Sequence, residues 1–393
     1  MTNFRRFLAM ILCAAMLFAF FTGCIDPESE VPDEDIDVIP YDPESDQDQF
    51  EDDPNGLNDY TIDFETAIAS FLPDTIMIKA GNHTLTWADM YFFLFRSVVN
   101  LIQSFQSSFD WHEELDDGTS LADLVMQLST EEALIFILYA YGAESLNITL
   151  SNDDLEMLNA DIDSMIATYD SLQEFEESLR ENNGFFNFET FQKLLKTEFT
   201  VGLMITELYG DEASSFPDEG VADYITRNEY MMAKHILRLK TEDNDDKPLK
   251  EAEDILKQLK GRVKDDDFLD FFNEMMAEHS EDPGSEAVPQ GYLFQPYEMV
   301  EAFSIATAAL EVGELSEIVE TEYGYHIILR LPVDYDDTPY SLASQGQYNT
   351  LRQLAAIEDF DAVLQEWRDE LNFEYTPEYH LIDVASIFAW QRS

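Results

Sequence analysis

The 393-residue chain reads as an α+β protein. Three observations predict that class. Between residues 87 and 209, apolar side chains recur every three or four positions, the spacing of one helix face. From Tyr230 the period changes to the two-residue alternation of a strand. Beyond that change the pattern runs β-α-α-β-α-β-β within about 105 residues, a compact unit built on an antiparallel sheet.

The elements follow in order. "IMIK", residues 76–79, is a short strand signal, and Gly81-Asn82 is a turn. Thr86 is placed to cap a helix starting at Trp87, with Asp89 three residues on. Phe92, Phe95, Val99 and Ile102 then repeat at helical spacing. Further helices are predicted over 121–140, over 151–179 as one helix opened by the capping pattern Ser-Asn-Asp-Asp, and over 188–209. Asn182-Asn183-Gly184 breaks the chain before the last of these. Such Phe and Met stripes belong mainly in a core, with some left to line an open cleft. In the second half, "YMMAKHILRLK" is a strand around His235, followed by an acidic loop at 240–247 and helices over 249–260 and 268–279. "SEDPGSEAVPQGYLF" is loop and short strand, and "EMVEAFSIATAAL" is a helix. On that helix Met299 and Phe303, four residues apart, share one face. "GELSEIVETEYGYHIILRLP" is two strands joined at Gly324.

Composition narrows the function. The length suits two or three domains, and 45% hydrophobic residues suffice for real cores. Asp and Glu number 82 against 21 Lys and Arg, a formal charge of −61. That field repels nucleic acid and anionic lipid and favours cationic or weakly charged partners. The only cysteines are Cys13 and Cys24, so nothing beyond residue 24 can form a disulfide, a thiolate nucleophile or a cysteine zinc site. The six histidines, at 83, 112, 235, 279, 326 and 380, show no H-x-x-x-H or HEXXH spacing. Walker A, GxGxxG and G-x-S-x-G patterns are absent as well. The expectation is therefore no metal and no cofactor.

The first residues speak of destination. Arg5 and Arg6 precede an apolar run from Phe7 to Phe21, then Thr22-Gly23-Cys24. This is a secretory signal pattern, shorter than the roughly 20 apolar residues of a spanning helix. Its end resembles a bacterial lipobox, with Phe21 where leucine is usual. The resemblance implies that Cys24 becomes a lipidated N-terminus on the extracytoplasmic face of the cell membrane. Residues 25–60 hold 15 acidic residues, five prolines and no Lys or Arg, which suits a disordered, self-repelling tether.

Residues 229–333 resemble a parvulin (rotamase, PpiC-type) prolyl isomerase domain. The matching pieces are "AKHIL" at 233–237, "HSEDPGS" at 279–285 and "EMVEAFSIATAALEVGELSEIVETEYGYHII" at 298–328. "IMIKAGNHTLTWADMYFFL" resembles the N-terminal domain of the SurA/PrsA foldases, and "AAIEDFDAVLQEWRDELNFEY" their returning C-terminal helix. Together the resemblance spans roughly 75–385. It implies a signal peptide over 1–24, a linker over 25–60, a helical chaperone domain over 61–228 and the isomerase domain over 229–333. A C-terminal segment over 334–393 would pack back on the helical domain. Leu293, Met299 and Phe303 would form the proline pocket. His235 and His326 would be a hydrogen-bonded pair that holds each other's tautomer, and Asp282 would act electrostatically on the twisting carbonyl. The family's Gly-Gly-Asp-Leu-Gly stretch here reads Gln290-Gly291-Tyr292-Leu293-Phe294, so Tyr292 and Phe294 alter the pocket rim. The acidic 240–247 loop argues against phospho-Ser/Thr-Pro preference.

The expected function is a lipid-anchored prolyl isomerase and foldase for secreted X-Pro-containing polypeptides, with a homodimer left open. The alternative is a holdase chaperone with an inactive parvulin domain. A cell-surface adaptor ranks third.

Overall fold

The structure is a computed structural model that describes residues 60–105, 109–115, 118–240, 246–285 and 288–392. The expected signal peptide, lipidation at Cys24 and nearly all of the 25–60 linker lie outside the described residues, as does most of the 240–247 loop. Tyr60, assigned to the linker, opens the first strand.

In chain order the elements begin with β1 (Tyr60–Ile62), β2 (Ile76–Ala80), β3 (His83–Thr86), α1 (Trp87–Phe105) and α2 (Leu121–Ser145). There follow α3 (Asn152–Ile166), α4 (Leu172–Glu181), α5 (Phe188–Tyr209), α6 (Asp218–Arg227) and β4 (Met231–Leu239). Next come α7 (Lys247–Arg262), α8 (Phe268–His279), β5 (Tyr292–Phe294), α9 (Glu301–Ala309), β6 (Val319–Glu320) and β7 (Gly324–Leu331). The last are α10 (Leu351–Glu370), β8 (Phe373–Tyr375) and β9 (Trp390–Arg392). The protein is thus α+β, with all its strand pairs antiparallel. It divides into two units, one formed by residues up to 207 and from 361 on, the other by 208–360.

The first unit is mainly helical. Its small sheet has the order β3-β2-β8, and β1 pairs with β9, so the C-terminal residues complete both. Thr86 and Asp89 start α1 together: the Thr86 N–H and hydroxyl both donate to Asp89 Oδ2 at 2.9 Å. Ser151 and Asp154 form a reciprocal capping box at the head of α3. The single helix expected over 151–179 is in fact two. Ser171 accepts the Glu174 N–H at 3.2 Å, and Glu174 accepts the Asp170 N–H at 2.9 Å. Those side chains start a new helix at Leu172 instead of letting the old one continue. The core is aromatic, with Phe92 stacked on Phe185 at 4.5 Å.

The second unit is built on the sheet β5-β4-β7-β6. Period two sends alternate residues of β4 and β7 to opposite faces. On one face Ile236, Ile327 and Leu329 pack with Leu259 of α7 and Phe272 of α8. On the other, Met231, Ala233 and Ile328 pack with Phe303 of α9. Two glycines allow close approaches. A Cβ at Gly324 would stand 2.1 Å from the Arg238 carbonyl oxygen. Gly291 holds φ +109, and a Cβ there would lie 2.8 Å from the Ala233 oxygen.

The helix expected from Glu298 begins later. Pro296–Glu298 forms a 3-10 turn, closed by Glu298 Oε2 accepting the Gln295 N–H at 2.6 Å. Met299 is then extended at φ −122, ψ 162, and α9 starts at Glu301. Met299 and Phe303 therefore do not share a helix face. They meet because Met299, at the break, packs against the same apolar cluster that buries Phe303.

Candidate active site

The face of the second sheet that carries Ala233 also carries His235 and His326. His235 stands opposite Ile328 and Leu237 opposite His326, so the histidines sit two register positions apart on one face. Their ring centroids are 5.2 Å apart and the planes tilt by 53°. Phe303 meets both edge-on, at 5.1 Å from His235 and 5.5 Å from His326.

The expected hydrogen bond between the histidines is not made. Each Nε2 is engaged elsewhere, and neither Nδ1 has a partner. His326 Nε2 lies 2.8 Å from the Thr321 hydroxyl. That hydroxyl oxygen already accepts the Tyr323 N–H at 3.2 Å and the Gly324 N–H at 3.4 Å. With both lone pairs engaged, it donates its proton to Nε2, which leaves His326 protonated on Nδ1. His235 Nε2 faces Asp282 Oδ2 at 3.5 Å. Burial disfavours charge on both rings. His326 is pushed down to about 4, first by burial and then by the neighbouring His235. Burial lowers His235 as well, against the opposing pull of Asp282. Both imidazoles are thus neutral at neutral pH.

Asp282 is held by its surroundings. Its Oδ1 accepts the Gly284 N–H at 3.2 Å and its Oδ2 the Tyr292 hydroxyl at 2.8 Å. Its loop is tied to β4, because the Glu281 N–H donates to the Leu237 oxygen at 2.9 Å. The Tyr292 ring also stacks on His235 at 5.6 Å, and the Tyr340 ring meets Tyr292 edge-on at 5.0 Å. Burial and the Asp282 carboxylate raise the Tyr292 hydroxyl far above its ordinary value, so it remains a donor.

The structure thus brings together His235, Asp282, His326, Met299 and Phe303, and it sets Leu293 apart. Leu293 pairs with Met232, whereas Tyr292 and Phe294 pair with Ala233 and Met231. Alternation turns Leu293 to the opposite face and puts Phe294 and Tyr292 in the Phe303 cluster. The two bulky residues taken as changes to a rim are parts of the site. Period two along Tyr292–Phe294, combined with the pairing register, was the signal for Phe294. Thr321 left none, since only the fold brings it to His326. Such a site can hold an apolar ring against neutral polar groups poor in water. Among the described residues, no group of three or more His, Cys, Asp or Glu could hold a metal ion.

The family described as PPIC-type PPIase domain (rotamase) matches residues 235–331. Among curated relatives, the foldase protein PrsA of Clostridium botulinum (strain Langeland) is 27% identical over 230 residues, 54% of this chain and 63% of the relative. The foldase protein PrsA of Bacillus subtilis is 34% identical over 112 residues, 28% of this chain and 36% of the relative. The chain therefore spans less than two thirds of the length of these relatives. The crystal structure of peptidylprolyl isomerase (PrsA) from Bacillus cereus aligns over 71% of this chain and 98% of its own, with 20% identity and a TM-score of 0.27. That score is too low to relate the two structures as wholes. The sequence matches show that residues 235–331 match the PPIC-type domain and that the chain is similar, over part of its length, to PrsA foldases.

Proposed function

We propose that the chain is a prolyl isomerase and foldase that acts on extended, X-Pro-containing secreted polypeptides. It would work at the outer face of the cytoplasmic membrane, anchored through lipid on Cys24. One observation carries the catalytic part: two buried, neutral histidines abut the Phe303, Phe294 and Met299 cluster inside a domain of the PPIC family.

The chemistry needs no covalent step. An X-Pro bond turns over a barrier of roughly 18–20 kcal/mol because twisting breaks amide resonance. Catalysis consists of favouring the twisted amide over both planar forms. In this reading Met299 and Phe303 hold the proline ring, with the fully buried Phe294 packed behind Phe303. The unpartnered Nδ1–H of His326 lies buried beneath the site, where its dipole favours the carbonyl oxygen whose charge grows as conjugation is lost. His235 supplies a neutral wall, held by Asp282. Asp282 and Tyr292 are positioning residues, and Leu293 has a packing role. In this reading the helical domain, completed by residues from 361 on, holds the client, and the isomerase domain within 208–360 turns its X-Pro bonds.

The test is cis/trans relaxation of proline peptides with the full chain, beside Met299→Ala and His326→Ala. Acceleration is expected, with both substitutions reducing it at least about tenfold, the equivalent of about 1.4 kcal/mol each. A folded protein that does not accelerate any X-Pro peptide, yet still suppresses aggregation of an unfolded client, would replace the isomerase by a holdase. For the anchor, fatty-acid labelling in cells should disappear in Cys24→Ala.

A further inference from the structure

The helical unit holds a cavity of about 290 Å³ walled by Phe92, Phe93, Phe136, Phe185 and Leu194. Four consecutive residues, Asn82 to Leu85, also line it. A strand sends alternate side chains to opposite faces, so a cavity touched by consecutive residues runs along the strand's edge. β3 does have an open edge, because among the described residues it is the outer strand of β3-β2-β8.

The hairpin register says what that edge offers. β2 and β3 are joined by the two-residue loop Gly81-Asn82, with Gly81 at φ +57, and Ala80 opposes His83. The pair closing a two-residue loop exchanges both hydrogen bonds, and pairs alternate from there. The next pair, Lys79 with Thr84, is therefore non-bonded, and the Thr84 N–H and C=O turn outward. Thr84 itself is exposed. An unpaired backbone donor and acceptor thus stand beside an apolar hole. The volume lies just below the roughly 300 Å³ at which small-molecule pockets begin, which suits one large side chain.

The polar side chains of the rim are already paired. Lys193 Nζ lies 2.7 Å from both Asp89 oxygens, and His83 Nε2 3.2 Å from Glu144. The wider surface is acidic, with 26 Asp and Glu against 5 Lys and Arg between residues 60 and 207. From these facts we propose that β3 and this cavity bind an extended polypeptide as an added strand, taking one aromatic or large aliphatic side chain flanked by Lys or Arg. Strand addition supplies affinity through the main chain and selectivity through the pocket. The inference rests on the foldase reading only for the idea that unfolded chains are the natural occupant.

Two variants test it without opening the core. Thr84→Pro removes an outward N–H and spares the ladder, a place where an edge strand tolerates proline. Ala140→Trp fills the mouth from an exposed position on α2. The probe is a fluorescein-labelled peptide of alternating Phe and Thr with two lysines at each end, titrated against the full chain by anisotropy. Each variant is expected to bind about tenfold more weakly while its thermal melt and isomerase rate stay unchanged. A peptide ended by glutamates should bind more weakly at low salt, with the gap closing toward 1 M, where the screening length is about 3 Å. Parent-like binding in both variants overturns the proposal, as does equal binding of the glutamate-ended peptide at low salt. A dimer in sedimentation that Thr84→Pro abolishes would make a second copy the occupant and overturn it too. Peptide binding intact in a protein with no isomerase rate would sink the isomerase reading alone.

Discussion

Glu198 in the helical unit and Asp282 in the sheet unit are both carboxylates removed from water, yet their surroundings differ. Glu198 is 3% exposed and neither of its oxygens accepts a hydrogen bond. Burial pushes it up to about 8, and the Arg96 guanidinium only partly offsets that. Half-buried Tyr139 also interacts with it electrostatically. Asp282 instead has a backbone N–H and a tyrosine hydroxyl on its oxygens and an imidazole 3.5 Å away. A buried carboxylate without donors is costly to ionise, whereas donors hold a carboxylate in place to orient a neighbour. The first is a cost tied to pH, and the second is a piece of machinery.

The largest effect that would break this contrast concerns Glu198. Its folded value, about 8, stands above the ordinary 4.5, so the folded state holds its proton longer. Stability from this group is present below 4.5 and is lost as pH rises toward 8, by on the order of 4–5 kcal/mol. Glu198→Gln cannot ionise, so it should match the parent near pH 5 and be several kcal/mol more stable at pH 9. Urea midpoints at the two pH values decide this, and parallel pH curves would remove the contrast.

A smaller effect of opposite sign is expected from the site histidines. For His326 the folded value lies near 4, below the ordinary 6.5. Its contribution is present above 6.5 and lost as pH falls toward 4, on the order of 3 kcal/mol. The catalytic rate should therefore stay flat from pH 8 through 6.5. A rate that halves near 6.5 would mean that an imidazole titrates there and would end the neutral-pair description.

Smallest is Tyr292→Phe, which removes one donor from Asp282 and keeps the ring on His235. A hydrogen bond to a charged group is worth about 1.5–3 kcal/mol. The expected outcome is a loss of thermal stability at the low end of that range and a reduced rate at unchanged peptide affinity. A changed affinity with unchanged rate would move Tyr292 from positioning to direct contact.

Local chemistry was readable where neighbours in sequence are also neighbours in space. Thr86 with Asp89 and Ser151 with Asp154 mark helix starts because a cap spans three residues. Alternation revealed β4 and β7, and the motif placed His235 and His326 on one face. The break at Ser171 was locally encoded too, but the capping serine was hidden inside a continuous apolar rhythm.

Tertiary structure decided the rest. Whether Met299 lies on a helix depends on the 3-10 turn before it, and which face Leu293 takes depends on its pairing with Met232. The bond from Tyr292 to Asp282 spans ten residues and needs a tied loop to form. Glu198 looks like any acidic residue on a helix until the fold buries it. A sequence by itself determines propensity, capping and the period of each element, because those are short-range energies. Only the folded chain determines burial and long-range partnership, and these set which groups keep their charge, which imidazole nitrogen is free and which strand edge stays open.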